Sequence, residues 1–218
     1  MPIRERPTFL LELDGTLVDP ALGIVGCCRL ALAQFGVRLD DSDDLRWVIG
    51  PPIRDSFRRL LDGHGDVEEG VRLYREQYSD WGLYEAVVYP GILDALARLK
   101  ARGTRLILCT AKATDFARRV VDHFGVAPML SGVYGAELDG RFEDKGDLIA
   151  HLLWKEGLNP QTVCMVGDRK HDVIAATKNA IPTIGVLWGY GGRDELEAAG
   201  AAMLIDRADQ LLPAPSTR

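Results

Sequence analysis

Apolar residues collect into five short runs, at 9–13, 105–110, 162–166, 183–187 and 202–205. Most are too short for a helix and nearly continuous rather than alternating, which predicts strands covered on both faces. Between them lie amphipathic stretches with recognisable ends. Residues 90–101 open with Pro90 and stop at Gly103, 114–124 stop at Gly125, and 146–156 stop at Gly157. Proline at the start and glycine past the end is the usual helical asymmetry. Strand and helix repeated in this way predict an α/β fold, a doubly wound parallel sheet with right-handed crossovers, and ligands bound beyond the carboxyl ends of the strands.

Residues 20–85 break the alternation, with helical periodicity and no convincing strand. Asp19-Pro20 offers an N-cap and a first-turn proline for a helix ending near Gly36. Gly50-Pro51-Pro52 makes a turn, and Asp66 to Trp81 is a further amphipathic stretch. The expected organisation is a core domain of residues 1–19 and 86–218 with a helical cap domain, 20–85, inserted in it. The proline-rich tail after Leu212 is expected to fray.

Composition narrows the function classes. The 218 residues are 47% hydrophobic and 27% charged with a net charge of −6. No stretch approaches the roughly 18 uninterrupted apolar residues of a membrane span. Basic residues are dispersed, so nucleic acid is not an expected partner. The N-terminus lacks the features of a secretory signal, which predicts a cytoplasmic protein. Cys27, Cys28, Cys109 and Cys164 show no metal-binding spacing and are expected to be reduced and mostly buried. A cysteine-based phosphatase is excluded, because the positions six residues beyond them hold Ala33, Gln34, Asp115 and Lys170 rather than arginine. A monomer or homodimer is expected, with Trp47 or Trp81 on an exposed cap face as the surface for a dimer.

Candidate chemistry sits at the strand ends. Glu12 and Asp14, two apart at the end of the first run, share a face of the strand. Adjacent buried acids need a compensating cation or proton. Gly15 lets the chain turn sharply toward a phosphate. A second acidic pair, Asp168 and Asp172, follows the third run. Two such clusters at neighbouring strand ends suggest one shared Mg²⁺, which takes carboxylate, water and phosphate oxygens. Thr110 ends the second run, followed by Lys112, and Lys145 opens a helix. A hydroxyl and an ammonium are the usual partners of phosphoryl oxygens. Singly, each of these residues has an ordinary structural role, and only their order makes them informative. His64, His123, His151 and His171 form no metal or catalytic pattern.

Glu12-x-Asp14-Gly15-Thr16, Thr110, Lys145 and Gly167-Asp168-x-x-x-Asp172 together resemble the four motifs of the haloacid dehalogenase superfamily. The resemblance spans the chain. The helical insertion, Ile49-Gly50-Pro51-Pro52 and Trp188-Gly189-Tyr190-Gly191 look like its phosphoglycolate phosphatase-like subgroup. The resemblance implies a Rossmann-like core with a helical cap and Mg²⁺-dependent hydrolysis of a small phosphorylated metabolite through an acyl-phosphate intermediate. Position 12 would be the nucleophile and Asp14 the acid and base, with Thr110 and Lys145 holding the phosphoryl oxygens. Glu12, the backbone carbonyl of Asp14, Asp168 and, in support, Asp172 would hold the metal. Gly15, Thr16, Arg54, Ala111 and Lys112 are the expected substrate-binding positions.

Glu12 stands where the family pattern has aspartate. The extra methylene advances the carboxylate, and a misplacement of roughly 1 Å can cost on the order of a hundredfold in rate. Low or absent turnover is expected. Three accounts compete: a deliberately altered chain, a natural descendant that binds phosphometabolites without hydrolysing them, or a working enzyme with a shifted backbone. A metal-free dehalogenase ranks last, because it has no use for Asp14, Asp168 and Asp172. Phosphoglycolate, nucleoside monophosphates and other small monoesters remain open as substrates.

Overall fold

The structure is a computed structural model that describes residues 1–40 and 42–213. Apart from Pro213, the tail expected to fray lies outside those residues. Six parallel strands form the main sheet: β1 Thr8–Leu11, β4 Arg105–Ala113, β5 Gly132–Ala136, β6 Val163–Gly167, β7 Thr183–Val186 and β8 Met203–Ile205. Their order is β5-β4-β1-β6-β7-β8. Both neighbours of β1 run parallel to it. Outside the insertion the helices are α4 Ile92–Ala101, α5 Thr114–His123, α6 Lys145–Glu156, α7 Lys170–Lys178 and α8 Arg193–Ala198.

The continuous apolar runs follow from this layering. Phe9 and Leu11 join the larger buried cluster on one face of the sheet, while Leu10 packs into a second cluster on the other face. Side chains that alternate between two buried faces must all be apolar, at about 1.5–3 kcal/mol of burial for each large one. β1 ends at Leu11 rather than Leu13, although the Glu12 N–H still donates to the Val166 carbonyl at 2.9 Å. β4 continues past Thr110 to Ala113, and its register with β5 shifts between Cys109 and Ala113. Irregularities of this kind re-aim side chains, and this one lies where Thr110 and Lys112 stand. β5 was not among the expected strands. It is an edge strand, Gly-Val-Tyr-Gly-Ala, only partly buried over its first three residues, so it lacks the run of large apolar residues.

The insertion holds three helices, α1 Ala21–Ala33, α2 Ile53–Leu61 and α3 Val67–Asp80. α3 packs against both α1 and α2. The Asp66 carboxylate caps α3 by accepting from the Glu69 N–H at 2.8 Å. At α1 the expectation is corrected by one position. Pro20 is the N-cap residue, and Asp19 accepts from the Ala21 N–H at 3.0 Å. Where the chain enters and leaves the insertion it forms a small antiparallel ribbon, β2 Val18–Asp19 against β3 Val87–Val88.

The expectation of an exposed tryptophan face is also corrected. Trp47 and Trp81 are partly buried and pack against the core, and the Arg59 guanidinium lies 4.0 Å from the centre of the Trp47 ring. All four cysteines are buried and unpaired. Among the described residues, no helix is long and apolar enough to cross a membrane.

Candidate active site

The carboxyl ends of β4, β1 and β6 lie side by side and gather the polar residues singled out in the sequence. Glu12, Asp14, Thr16, Thr110, Lys145, Asp168 and Asp172 are all buried. They form three linked sets. In the first, the Thr110 hydroxyl donates to one Glu12 carboxylate oxygen at 2.5 Å, and the Lys145 ammonium donates to the other. Lys145 also donates to Asp172. Lys145 is the first residue of α6, where a cation opposes the helix dipole. Its two carboxylate partners reverse that balance. Burial alone would lower its pKa, but Asp172 and Glu12 hold it well above the ordinary lysine value. Burial raises the Glu12 carboxyl, Lys145 opposes that rise, and Asp172 adds to it.

In the second set Asp168 accepts from the Thr16 hydroxyl at 3.1 Å and from the Tyr190 N–H at 2.9 Å. Burial and then Asp172 push its carboxyl up to about 8. The fit is close. Gly15 has φ of +81°, and a Cβ there would collide with the Asp168 carboxylate. A Cβ at Gly189 would collide with the Gly15 carbonyl and with Asp168. The Trp188 indole N–H donates to the Thr16 carbonyl at 3.0 Å. The Trp-Gly-Tyr-Gly segment thus clamps the first acidic loop onto Asp168. In the third set Asp14 pairs with Lys112, Nζ to Oδ2 at 2.9 Å. The same ammonium donates to the Tyr78 hydroxyl of α3 and lies 4.4 Å from the centre of its ring. The other Asp14 oxygen, Oδ1, is buried without a hydrogen-bond partner.

Two hollows meet at Glu12, Gly50–Pro52, Ala111 and Glu143. One is charged, with Lys145, Asp168, Arg169, His171 and Asp172 in its wall. The other runs under the insertion and is lined by Asp14, Lys112, Ile24, Tyr74, Tyr78 and Phe116 among others. Ala111 borders both hollows and the buried Lys112 side chain borders the second, whereas Gly15 and Thr16 serve to hold Asp168. Arg54 lines neither hollow. Its guanidinium is taken up by Glu68, at 2.5 and 2.9 Å, and by Glu143.

Sequence reasoning gave Arg169 and His171 no role, yet both border the charged hollow. Arg169 donates to the Ile49 carbonyl beside the Gly50 turn and is steadied by Glu195 at 2.9 Å. Its place directly after Asp168 was the available signal. Burial lowers the His171 pKa, with Arg169 adding to that effect.

Comparison with known proteins matches residues 9–186 to the model of the haloacid dehalogenase-like hydrolases. The chain belongs to this family. A 5'-nucleotidase of Pseudomonas aeruginosa is 41% identical over 194 residues, which cover 88% of this chain and 87% of that protein. The tyrosine-protein kinase PtkA of Mycobacterium tuberculosis is 36% identical over 205 residues, covering 94% of this chain and 70% of that protein. A crystal structure of a predicted phosphatase from Clostridium acetobutylicum superposes with a TM-score of 0.90 at 34% identity, covering 94% and 96% of the two chains. The haloacid dehalogenase-like fold and its α/β architecture are thereby established for this chain.

Proposed function

We propose that this protein is a Mg²⁺-dependent phosphomonoester hydrolase for a small phosphorylated metabolite of the phosphoglycolate or nucleotide type, slowed by the glutamate at position 12. The observation that carries the proposal is the convergence of Glu12, Asp14, Thr110, Lys145, Asp168 and Asp172, all buried, at the ends of three adjacent parallel strands. Residues 20–85 act as the cap over that site, with Lys112 and Ala111 facing the substrate. The protein works as a monomer or homodimer in the cytoplasm.

The residues present fit the metal. Glu12, Asp14, Asp168 and Asp172 are four buried carboxylates facing two buried ammonium groups, Lys112 and Lys145. With all four ionised this is an excess of two negative charges, which one divalent cation would neutralise; without it Asp168 keeps its proton up to about pH 8. Mg²⁺ is commonly held by one or two carboxylates and keeps several waters. Glu12, Asp168 and the Asp14 carbonyl would hold it, with Asp172 in support, and it would supply charge neutralisation at the phosphoryl oxygens.

The chain's own groups then divide the work. A carboxylate at position 12 attacks phosphorus, the ester P–O bond breaks, and Asp14 gives a proton to the departing oxygen. Asp14 next takes a proton from the water that attacks the acyl phosphate, which releases inorganic phosphate and restores the carboxylate. Thr110 and Lys145 orient the phosphoryl oxygens. Glu12 obstructs this sequence because its longer side chain is already hydrogen-bonded to both of those groups. The same observation supports a second reading, a silent homologue that binds phosphometabolites without turning them over.

Hydrolysis of p-nitrophenyl phosphate with Mg²⁺, by this chain and by Glu12→Asp, tests the proposal. A large gain in the aspartate variant supports it, and no gain counts against it. Calorimetry showing micromolar binding of a phosphorylated metabolite by the parent chain, with no product formed by either protein, would favour the silent homologue.

A further inference from the structure

Asp14 presents its two oxygens to different surroundings. Oδ2 is paired with Lys112 at 2.9 Å, whereas Oδ1 is buried and has no partner, in a side chain that walls the apolar hollow. A buried carboxylate oxygen without a donor costs free energy unless something comes to meet it. Lys112 is itself constrained from three sides. Its backbone N–H donates to the Thr110 hydroxyl at 3.1 Å, its ammonium holds Asp14 and the Tyr78 hydroxyl, and it stands over the Tyr78 ring. Its side chain is only 5% exposed, so water does not compete for these contacts.

We infer that Lys112 is a positioning residue that fixes Asp14 by one oxygen and reserves the other for the oxygen of the leaving group, with Tyr78 of the inserted helix α3 as its second anchor. The inference rests on the hydrolase reading and deepens it. A carboxylate free to rotate about its Cβ–Cγ bond would present either oxygen. One tethered to a buried ammonium presents only Oδ1, and the negative charge left on Asp14 after it gives up its proton is met at once by Lys112. Because Tyr78 comes from the insertion, the tether is complete only when α3 is seated on the core. The hollow that Asp14 borders is lined by Ile24, Tyr74, Tyr78 and Phe116 and also by Arg75 and Glu143.

Leaving-group dependence separates this role from a merely structural one. p-Nitrophenolate leaves without protonation, whereas an alkoxide needs the proton of Asp14. With Glu12→Asp as the active parent, kcat and KM are measured for p-nitrophenyl phosphate and for 2-phenylethyl phosphate, then repeated with Lys112→Met, Lys112→Arg and Tyr78→Phe. Lys112→Met should lower kcat/KM, which reports the steps up to P–O cleavage, about tenfold more for the alkyl ester than for the nitrophenyl ester, a part of the roughly 10²–10⁴ that proton transfer contributes. Lys112→Arg should restore much of the loss. Tyr78→Phe keeps the ring and should give a smaller loss of the same selectivity, so it carries the test if Lys112→Met does not fold. Equal losses of kcat/KM for both esters would overturn the inference while leaving the hydrolase reading intact. No hydrolysis of either ester by the Glu12→Asp parent would overturn both.

Discussion

The two buried lysines of the site make an instructive pair. Lys145 starts a core helix and serves two carboxylates, Glu12 and Asp172, both from the core. Lys112 lies one residue before the end of the core strand β4 and serves one carboxylate, Asp14, together with a phenol from the insertion. In both, partner charges more than offset the effect of burial and hold the ammonium firmly protonated. They differ in what their environment depends on. The surroundings of Lys145 are complete once the sheet and its helices have formed, whereas those of Lys112 also need α3 in place. One lysine is held by the core alone, and the other by the core and the insertion together.

Substitutions can break or sharpen that contrast. Lys145→Met leaves two buried carboxylates without their cation and should cost about 3–5 kcal/mol of stability, the usual penalty for breaking a buried ion pair, read by urea denaturation. Glu12→Asp should raise kcat for p-nitrophenyl phosphate on the order of a hundredfold by freeing Thr110 and Lys145 for the phosphoryl group. Lys112→Met strands a single carboxylate at the rim of an open hollow and should destabilise by about 1–3 kcal/mol, less than Lys145→Met in the same assay. An equal or larger cost would erase the distinction between the two lysines. Tyr78→Phe removes one hydroxyl and keeps the packed ring, so thermal unfolding should report a loss of only about 1 kcal/mol.

Asp168 offers a check through pH. Its folded carboxyl is raised to about 8 from an ordinary value of 3.8, so between those values the folded state binds a proton that the unfolded state has released. Stability of the metal-free protein should therefore fall as pH rises from about 4 to about 8, and Mg²⁺ should restore more of it at the upper end of that window than at the lower. Thermal unfolding at pH 5 and pH 8 with and without Mg²⁺ measures this, and a restoration that is the same at both values would count against Asp168 as a ligand.

Much of the fold could be read from the sequence because its strands are buried on both faces. The runs at Phe9, Leu106, Cys164 and Ile184 mark four neighbouring strands of the sheet without ambiguity. β5 escaped because an edge strand with two glycines carries no such run. The candidate site divides in the same way. Glu12, Thr110, Lys145, Asp168 and Asp172 are legible because each sits at a fixed offset from a strand end or helix start, and a parallel sheet brings such ends to one edge. The pairing of Lys112 with Tyr78, 34 residues apart in sequence, depends on how a separate group of helices lands on the core. No local periodicity encodes that. Arg54 shows the reverse case, since proximity to the Gly50 turn suggested a ligand contact and two glutamates on different elements take up its charge instead.

The ribbon formed by Val18–Asp19 and Val87–Val88 has a topological consequence. Because the outgoing and returning strands are hydrogen-bonded neighbours, the chain leaves the core and rejoins it at one place, and the six-stranded sheet closes without a strand from the residues between. What seats those residues on the core is then left to side chains, among them Tyr78 on Lys112, Ser79 on Arg119 and the Ile49 carbonyl on Arg169.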